Sequence, residues 1–428
     1  MSGPLDGLRV IDLGTRIAAP FCAGLLGEQG ADVIKVEQPG TGDFMRQIGP
    51  FVPTAGGDGA AAQGDSPGTG ERHTDTHGGD PGYSLFWAVE GRGRRSVTLD
   101  LRRPEGQALF RRLATAADVV CENFRPGTLE RWSIGPADLP DHLVVVRISV
   151  FGQDGPKSLR PGLDRMGIGY GGLLHLTGEP DRPPVRVGVT VSDYLTGTFA
   201  AQAALAALYR RDARRGGAAP SGRGAVVDAC LYGSVLRILE WTIAGYDRLG
   251  LVRSREGNRL ANSAPLDNYP TADAKTICIV AGSDTNFARL CEAMGMPELV
   301  HDPRYARLAD RAARSDEIND VVAAWTRTLP AAEIEQRCVA HDVPVATAYT
   351  AADIAADDHM AARGDLVTID DPVIGPIRQQ APFPRFVDEP VPVPTGAPRL
   401  GEHNDEIWRG LVGLSAAEYD AHRAAGII

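Results

Sequence analysis

One acidic side chain, Asp193, stands in the segment VTVSDYLTG, between an extended apolar run and a predicted helix that begins near Tyr194. A carboxylate at a helix start is stabilised by unpaired backbone N–H groups and by the positive end of the helix dipole. Asp193 can therefore cap the helix, or it can be held there as a nucleophile. The spacing alone favours capping and leaves the catalytic role open.

A second pattern is a GxGxxG made by Gly167, Gly169 and Gly172, with Asp193 about 20 residues further on, as a dinucleotide site would require. Such a site needs a strand before the glycines, and here they follow GLDRM with no predicted strand. The pattern therefore gives little support for nicotinamide binding. The sequence also contains no GxxxxGK[ST] and no GxSxG, which disfavours a P-loop and a nucleophile-elbow hydrolase.

The net charge of −11 disfavours nucleic-acid binding, because an acidic chain repels phosphate backbones. A local basic cluster remains compatible with a small phosphorylated ligand. The alternative is a solvated basic loop, and the sequence pattern alone does not decide between the two. The cluster comprises Arg92, Arg94, Arg95, Arg102 and Arg103.

The six cysteines form no CxxC pair and lie mostly in apolar contexts, which predicts reduced, buried thiols. The nine histidines include no HExxH motif, so no metal site is predicted. The start of the chain lacks the pattern of a secretory leader, and no apolar stretch is long enough to span a bilayer. We therefore expect a cytoplasmic protein with no membrane partner.

The elements around these residues alternate between strands and helices, which predicts a parallel sheet in a doubly wound α/β domain. The predicted strands are 8–13, 32–37, 118–121, 143–149 and 225–230, and the predicted helices are 20–29, 104–116, 194–213 and one that continues through Trp241.

Residues 54–82 interrupt this pattern with nine glycines and few apolar side chains beyond alanine, so we expect a mobile surface insertion there. A strand at 276–281 followed by helices predicts a smaller second domain. The expected division is a large domain from 1–231 and 365–428, with a small domain at 250–345.

Several segments together resemble the class III CoA transferases, a family that includes formyl-CoA transferase, carnitine CoA-transferase and the α-methylacyl-CoA racemases. The segments follow the family order along nearly the whole chain, and their order is more specific than any one of them. They are PLDGLRVIDLGTRIAAPFCAGLLGEQGADVIKVEQPGTGD, GRGRRSVTLDLRRPEG, ADVVCENFRPGTLERWSIG, VSDYLTGTFAAQAALAALYRR, SGRGAVVDACLYG, HDPRY and LGEHNDE.

The resemblance implies a Rossmann-like large domain formed by both chain ends, a smaller α+β domain, and a homodimer of two interlocked rings. It places the catalytic aspartate at Asp193, which would form an aspartyl-CoA thioester during transfer of CoA between an acyl-CoA and a free carboxylic acid. Acyl-CoA is a substrate in this scheme, and no tightly bound cofactor is expected.

The resemblance places the family's CoA-contact positions on nine residues of this sequence. Among them, Arg102 and Arg131 could bind phosphates, and the apolar Leu99 and Leu101 could flank adenine. The full set is Arg16, Ile17, Leu99, Leu101, Arg102, Asn123, Phe124, Thr128 and Arg131.

Three departures from the family pattern narrow the function. Gln38 stands where transferases often have arginine, so one of the family's phosphate contacts is not expected here. EGNRLANSAP stands near the place of the glycine-rich loop of formyl-CoA transferase, and the absence of that loop disfavours oxalate and formate as substrates. The racemase GHD motif reads Gly162, Leu163, Asp164, so a second proton carrier is missing and racemisation is disfavoured.

The remaining pattern is most similar to the dicarboxylate branch, which includes the mesaconyl-CoA and succinyl-CoA-dependent transferases. A diacid substrate needs a cation for its distal carboxylate, and the candidates are Arg16, then Arg46 and Arg165. An acyl-CoA racemase of the same fold and a non-catalytic CoA- or dinucleotide-binding protein are the alternatives.

Overall fold

The computed structural model describes residues 3–53, 82–213 and 220–428. Nearly all of the predicted mobile insertion at 54–82 lies outside the described residues, and only Gly82 of it is included. The described chain forms two compact units. Unit 1 comprises 1–172, 188–240 and 360–428, and unit 2 comprises 173–187 and 241–359.

The strands are short and their sequences are rich in valine and isoleucine, which suits a buried sheet. In chain order they are β1 (Arg9–Asp12), β2 (Asp32–Glu37), β3 (Phe51–Val52), β4 (Tyr83–Ser84), β5 (Arg94–Thr98), β6 (Val119–Glu122), β7 (Val144–Ser149), β8 (Ala225–Cys230), β9 (Leu266–Pro270), β10 (Thr276–Val280), β11 (Val345–Thr347), β12 (Leu366–Asp371) and β13 (Gly375–Gln380).

The helices include both long crossover helices and single turns. In chain order they are α1 (Ala18–Glu28), α2 (Leu85–Glu90), α3 (Pro104–Ala114), α4 (Thr128–Arg131), α5 (Asp164–Tyr170), α6 (Leu173–Leu176), α7 (Val191–Asp212), α8 (Leu231–Arg237), α9 (Thr242–Leu249), α10 (Asp284–Met294), α11 (Leu308–Ala313), α12 (Ser315–Thr326), α13 (Ala331–Ala340), α14 (Ala351–Ala356), α15 (Asp358–Arg363) and α16 (Ala416–Ala424). A π-helix covers Asp405–Leu411, and 3₁₀ turns cover Phe44–Gln47, Pro136–Asp138 and Pro297–His301.

Unit 1 is built on a six-stranded sheet in the order β5-β2-β1-β6-β7-β8, and every pair in it is parallel. The prediction of an α/β fold with a parallel central sheet is confirmed. After β1 the chain continues to β2 and β5 on one side, whereas β6, β7 and β8 follow on the other. The carboxyl ends of β1 and β6 are therefore neighbours at a topological switch point, where open α/β sheets bind ligands.

Each face of this sheet is covered by its own apolar layer. One face packs against α1 and α7, whose contacts are mostly alanine, including Ala200, Ala204 and Ala207. The other face packs against α3 and against residues near the end of the chain, among them Trp408 and Ile427. Small side chains on the first face let α7 lie close to α1, which matters for the site described below.

Unit 2 contains a three-stranded antiparallel sheet in the order β11-β10-β9. Its core joins Ile277 of the sheet with Phe287, Ile318 and Ile334 from α10, α12 and α13. One cation, Arg311, is completely buried there and donates to the carbonyl oxygens of three loop residues.

Two predicted helices differ from the structure. The helix predicted from Tyr194 begins earlier, at Val191, so Asp193 lies inside its first turn. The helix predicted through Trp241 ends at Arg237, because Glu240 adopts a φ of +53°, which no right-handed helix accommodates. Within the described residues, no helix is long and apolar enough to cross a membrane.

Candidate active site

Asp193 is the third residue of α7, and the N-cap position belongs to Thr190. The capping role considered for Asp193 is therefore wrong. Within the described part of the chain, no hydrogen-bond donor reaches the Asp193 carboxylate. The group lies in the field of the helix N-terminus and remains available to react.

Burial and, to a smaller extent, the nearby carboxylate of Asp164 together raise the pKa of Asp193 to about 7, although the cation of Arg16 opposes the shift. A carboxylate with a higher pKa is a stronger base and a better nucleophile. A shift with these causes is also typical of functional sites. The environment thus favours a reactive role for Asp193 near neutral pH.

Asp164, in the first turn of α5, is buried and accepts hydrogen bonds from the backbone N–H and the hydroxyl of Ser192, both at 2.8 Å. This contact depends on Gly167, because a Cβ there would lie 2.6 Å from Ser192 Oγ and 2.8 Å from Leu231 Cβ. Gly167 therefore allows α5 to pack against α7. The GxGxxG lies in and just after α5, which does not directly follow a strand because β7 ends at Ser149, so it is not a dinucleotide fingerprint.

The first turns of α7 lie directly against α1. A Cβ at Gly197 would be 2.9 Å from the carbonyl oxygen of Ala18, and the rings of Phe21 and Tyr194 meet edge to face at 4.7 Å. This packing brings the segment between β1 and α1 close to Asp193.

That segment, Gly14–Ile17, is called the β1 loop below, and it contains the predicted residues Arg16 and Ile17. Arg16 adopts a φ of +65°, and its guanidinium stacks on the ring of Phe44 at 4.0 Å. Ile17 precedes α1 at its N-cap position and is buried. Since Arg16 acts electrostatically on Asp193, the structure brings the predicted cation and the predicted nucleophile together.

Asn123 and Phe124 follow β6, next to the β1 loop. The Asn123 amide donates to the carbonyl oxygen of Thr15 at 2.7 Å and accepts from its N–H at 2.9 Å. The Phe124 N–H donates to Glu122, and its ring contacts Trp132 edge to face. Asn123 therefore connects the two strand ends at the switch point through hydrogen bonds to the backbone.

Thr128 and Arg131 form a pair on the short helix α4. Arg131 is exposed and donates to the Thr128 hydroxyl at 2.9 Å. Gly127 precedes them with a φ of +80°, a conformation that glycine adopts without strain. The turn places one exposed cation and one hydroxyl side by side, which suits a phosphate ligand.

The remaining CoA positions follow β5. Leu99 and Leu101 are 2% and 8% exposed and belong to the hydrophobic core, so contact of their side chains with adenine stays a prediction. Arg102 is 58% exposed in its side chain and pairs with Asp100 at 2.8 Å. The amide of Gln38 lies against Arg102, so the residue that departs from the family pattern is beside a predicted phosphate-binding residue.

The other members of the basic cluster are each paired with a carboxylate. Arg92 pairs with Glu28, Arg94 with Asp12, Arg95 with Asp32, and Arg103 with Glu105.

Arg46 and Arg165 are the other two candidates for binding the distal carboxylate of a diacid, and their surroundings differ from those of Arg16. Arg46 binds both carboxylate oxygens of Glu37 at 2.8 Å and stacks over the Trp87 ring at 3.7 Å. Arg165 is exposed on α5, beside Asp164. Of these three cations, Arg16 is thus the one whose charge lowers the pKa of Asp193.

Comparisons with known proteins identify the family. The model of the family described as CoA-transferase family III matches residues 5–404. The chain belongs to that family and is a CoA transferase.

Named relatives match over almost the whole chain. The succinyl-CoA–D-citramalate CoA-transferase of Chloroflexus aurantiacus is 41% identical, with 99% of this chain and 98% of the relative covered. The succinyl-CoA:mesaconate CoA-transferase of Haloarcula hispanica is 33% identical, with 95% and 96% covered. The crystal structure of a CAIB/BAIF family protein from Brucella suis superposes with a TM-score of 0.79 at 31% identity, covering 96% of this chain and 100% of that one. The resemblance to the dicarboxylate branch is confirmed.

Two features of the site were missed by sequence reasoning. The first is the charge of Asp164 beside Asp193, which the sequence analysis considered only as part of a motif. The second is a group of buried charges under the β1 loop, formed by Asp12, Lys35 and Asp43. The available signal for the second was Lys35, which stands among the apolar residues of VIKV in the middle of strand β2.

Proposed function

We propose that the protein transfers CoA from succinyl-CoA to a second dicarboxylic acid through a thioester on Asp193. The observation that carries this proposal is the Asp193 carboxylate, partly buried, without a hydrogen-bond donor among the described residues, and close to Arg16. The named relatives act on succinyl-CoA with citramalate or mesaconate, which are dicarboxylic acids.

The reaction divides one acyl exchange into steps that balance. The Asp193 carboxylate attacks the thioester carbonyl, which forms a mixed anhydride and releases the CoA thiolate. The thiolate then attacks the Asp193 carbonyl, which gives the aspartyl-CoA thioester and frees the first acid. The second acid attacks that thioester, which forms a new mixed anhydride and releases the CoA thiolate again. The thiolate then attacks the acyl carbonyl of the second acid, which gives the new acyl-CoA and regenerates the Asp193 carboxylate.

Arg16 is proposed to bind the distal carboxylate of the diacid, because it combines a cation with proximity to the nucleophile. Arg165 is the second candidate. The pairing of Arg46 with Glu37 already uses its charge, so Arg46 ranks last. Arg16→Ala is expected to reduce kcat/KM for diacids more than for monoacids of similar length. Equal effects on both acid classes would remove Arg16 from this role.

The proposed CoA site lies at the carboxyl ends of β1, β5 and β6, with exposed Arg102 and Arg131 toward the phosphates. Arg102→Ala should raise KM for acyl-CoA about tenfold with little change in kcat, because a charged hydrogen bond to the ligand is lost. Arg103→Ala is the matched control, since Arg103 is a similarly exposed neighbour paired with Glu105. Equal KM values for the two variants would contradict the assignment.

The transfer itself is tested by incubating the enzyme with succinyl-CoA and a panel of citramalate, mesaconate, malate and glutarate, and separating the acyl-CoA products. Asp193→Asn should lose at least about 10⁴-fold in kcat. Asp212→Asn, at the other end of α7, is the matched control and should keep full activity because its surface ion pair contributes little. A fully active Asp193→Asn variant would refute the proposal.

The racemase alternative is distinguished in the same assay run in deuterated water. Deuterium incorporation at the substrate α-carbon without acyl exchange would favour it. Leu163, at the N-cap of α5, has no proton to transfer, which argues against this outcome.

We also propose a homodimer of interlocked rings in the cytoplasm, with no tightly bound cofactor. Large apolar side chains on α9 support an assembly: Ile243, Tyr246 and Leu249 are 58%, 62% and 72% exposed. Light scattering of the purified protein should give the mass of two chains, and a monomer would contradict the proposal.

A further inference from the structure

The β1 loop holds Arg16 in a backbone conformation that is unfavourable for it. A φ of +65° suits glycine, and an arginine persists there only when its surroundings stabilise that conformation. Strained residues of this kind cluster at functional sites, where the strain fixes a side chain in position.

Two contacts that stabilise this conformation come from one short segment, Asp43–Phe44. Asp43 Oδ1 accepts from the Arg16 N–H at 3.1 Å and from the Thr15 hydroxyl at 3.2 Å. The neighbouring Phe44 ring lies 4.0 Å below the Arg16 guanidinium. The same segment therefore contacts Arg16 at its backbone and at its charged end.

Asp43 is itself held by a buried cation. Lys35 Nζ lies 2.6 Å from Asp43 Oδ2 and 3.3 Å from Asp12 Oδ2, and it donates to the carbonyl oxygen of Gly14. Asp12 in turn accepts from the Gly14 N–H at 2.8 Å. Lys35 therefore connects Gly14 directly, and Thr15 and Arg16 through Asp43, to strands β1 and β2.

Lys35 and Asp43 must both be charged to hold the β1 loop in this way. Lys35 is fully buried and Asp43 is 4% exposed. Burial opposes both charges, yet Asp12 and Asp43 keep the pKa of Lys35 above its ordinary value, and Lys35 keeps that of Asp43 below its own. Removing one partner would leave a buried charge uncompensated, which is strongly unfavourable.

We infer that Asp43, held by Lys35, is a positioning residue that fixes Arg16 toward Asp193 and the substrate carboxylate. This inference rests on the proposed function. Asp43 does not contact the reacting atoms in this account, because its oxygens are occupied by Lys35 and the β1 loop. Its effect on catalysis passes through Arg16.

The first test replaces Asp43 with asparagine, which keeps the shape but turns a donor toward Lys35. We expect kcat to fall about 100-fold, as for a catalytic group displaced by about 1 Å. Asp118→Asn is the matched control. Like Asp43, Asp118 accepts from a backbone N–H, that of Arg9, and pairs with a cation, Arg211. It lies just before β6, at the amino ends of the strands and therefore at the end of the sheet opposite to the site.

Because Asp43→Asn can also reduce folding yield, Phe44→Leu provides a milder variant. It removes only the ring under the guanidinium and keeps an apolar side chain at a half-buried position. We expect about a threefold loss in kcat, consistent with the small energy of an exposed cation–π contact.

The distinguishing readout is the pH profile of kcat. Arg16 and Asp164 are the charged groups that act on Asp193, so a displaced Arg16 should move the acid limb upward by about one pH unit. A purely structural role would lower the yield of active enzyme and leave the limb in place. An unchanged limb in both variants would overturn the inference.

A double variant separates this inference from the proposed function. If Asp43 acts through Arg16, then adding Asp43→Asn to Arg16→Ala should lower kcat little further. If the two residues act independently, the fold losses in kcat of the two single variants should multiply. If the kcat losses of Asp43→Asn and Arg16→Ala multiply in the double variant and Asp193→Asn is inactive, the positioning role is overturned and the proposed function is kept. An active Asp193→Asn variant would instead refute the proposed function itself.

Discussion

The first turns of α5 and α7 each contain an aspartate, and their surroundings differ. Asp164 on α5 is buried and accepts two hydrogen bonds from Ser192. Asp193 on α7 is partly buried, accepts none among the described residues, and has a pKa raised to about 7. Two carboxylates in one site thus have different environments, a pattern that assigns different roles to them. In the proposed mechanism, Asp164 shapes the site electrostatically and Asp193 is the nucleophile.

The largest expected difference between the Asp193→Asn and Asp164→Asn variants is in kcat. Asp193→Asn should lose at least about 10⁴-fold in kcat because the nucleophile is gone. Asp164→Asn keeps a hydrogen-bonding group for Ser192 and should lose about tenfold, the effect of a changed electrostatic environment. Steady-state rates of both variants with succinyl-CoA check this order, and equal losses would contradict the division of roles.

A smaller difference is expected in pH dependence. The reactive form of Asp193 is the carboxylate, so the wild-type rate should rise with pH through a midpoint near 7. Asp164 raises that pKa by like-charge repulsion, and Asp164→Asn should therefore lower the midpoint by about one unit. The measurement is kcat against pH from 5 to 9 with a saturating acyl-CoA. A midpoint that stays near 7 in the variant would show that Asp164 does not act on Asp193.

The smallest expected effect is on stability. The pKa of Asp193 is raised in the folded state, so its ionisation destabilises the fold as pH rises from 3.8 to about 7. Asp193→Asn removes this cost, and its Tm at pH 8 should exceed that of the wild type by about 3 °C. The advantage should shrink as pH falls toward 4. Asp164→Asn, which weakens the contact with Ser192, should show no such gain in thermal unfolding at pH 8.

The sequence was sufficient to predict the parallel sheet, since near-continuous apolar strands such as VVVRIS alternate with helices. It also located Asp193 before a helix, although only the structure shows that Thr190 is the N-cap. Local spacing does not reveal which charges are buried together. Lys35 and Asp43 are close only because β2 and the segment after it fold over the β1 loop.

Burial of a charge was also not sufficient to identify the site. Arg311 in unit 2 is as buried as Lys35, but its partners are mainly carbonyl oxygens of loops, and it stabilises that unit's fold. Lys35 differs because its partners hold Arg16 at a positive φ. Only three-dimensional contacts separate these two buried cations.

The central claim is that Asp193 carries the covalent intermediate. The most direct measurement incubates the enzyme with succinyl-CoA alone, reduces it with borohydride, and maps the modified peptide by mass. We expect reduction of Asp193 to the corresponding alcohol, within the peptide that contains the start of α7, and no reduction in Asp193→Asn. An unmodified Asp193 peptide, or modification at Asp164, would contradict it.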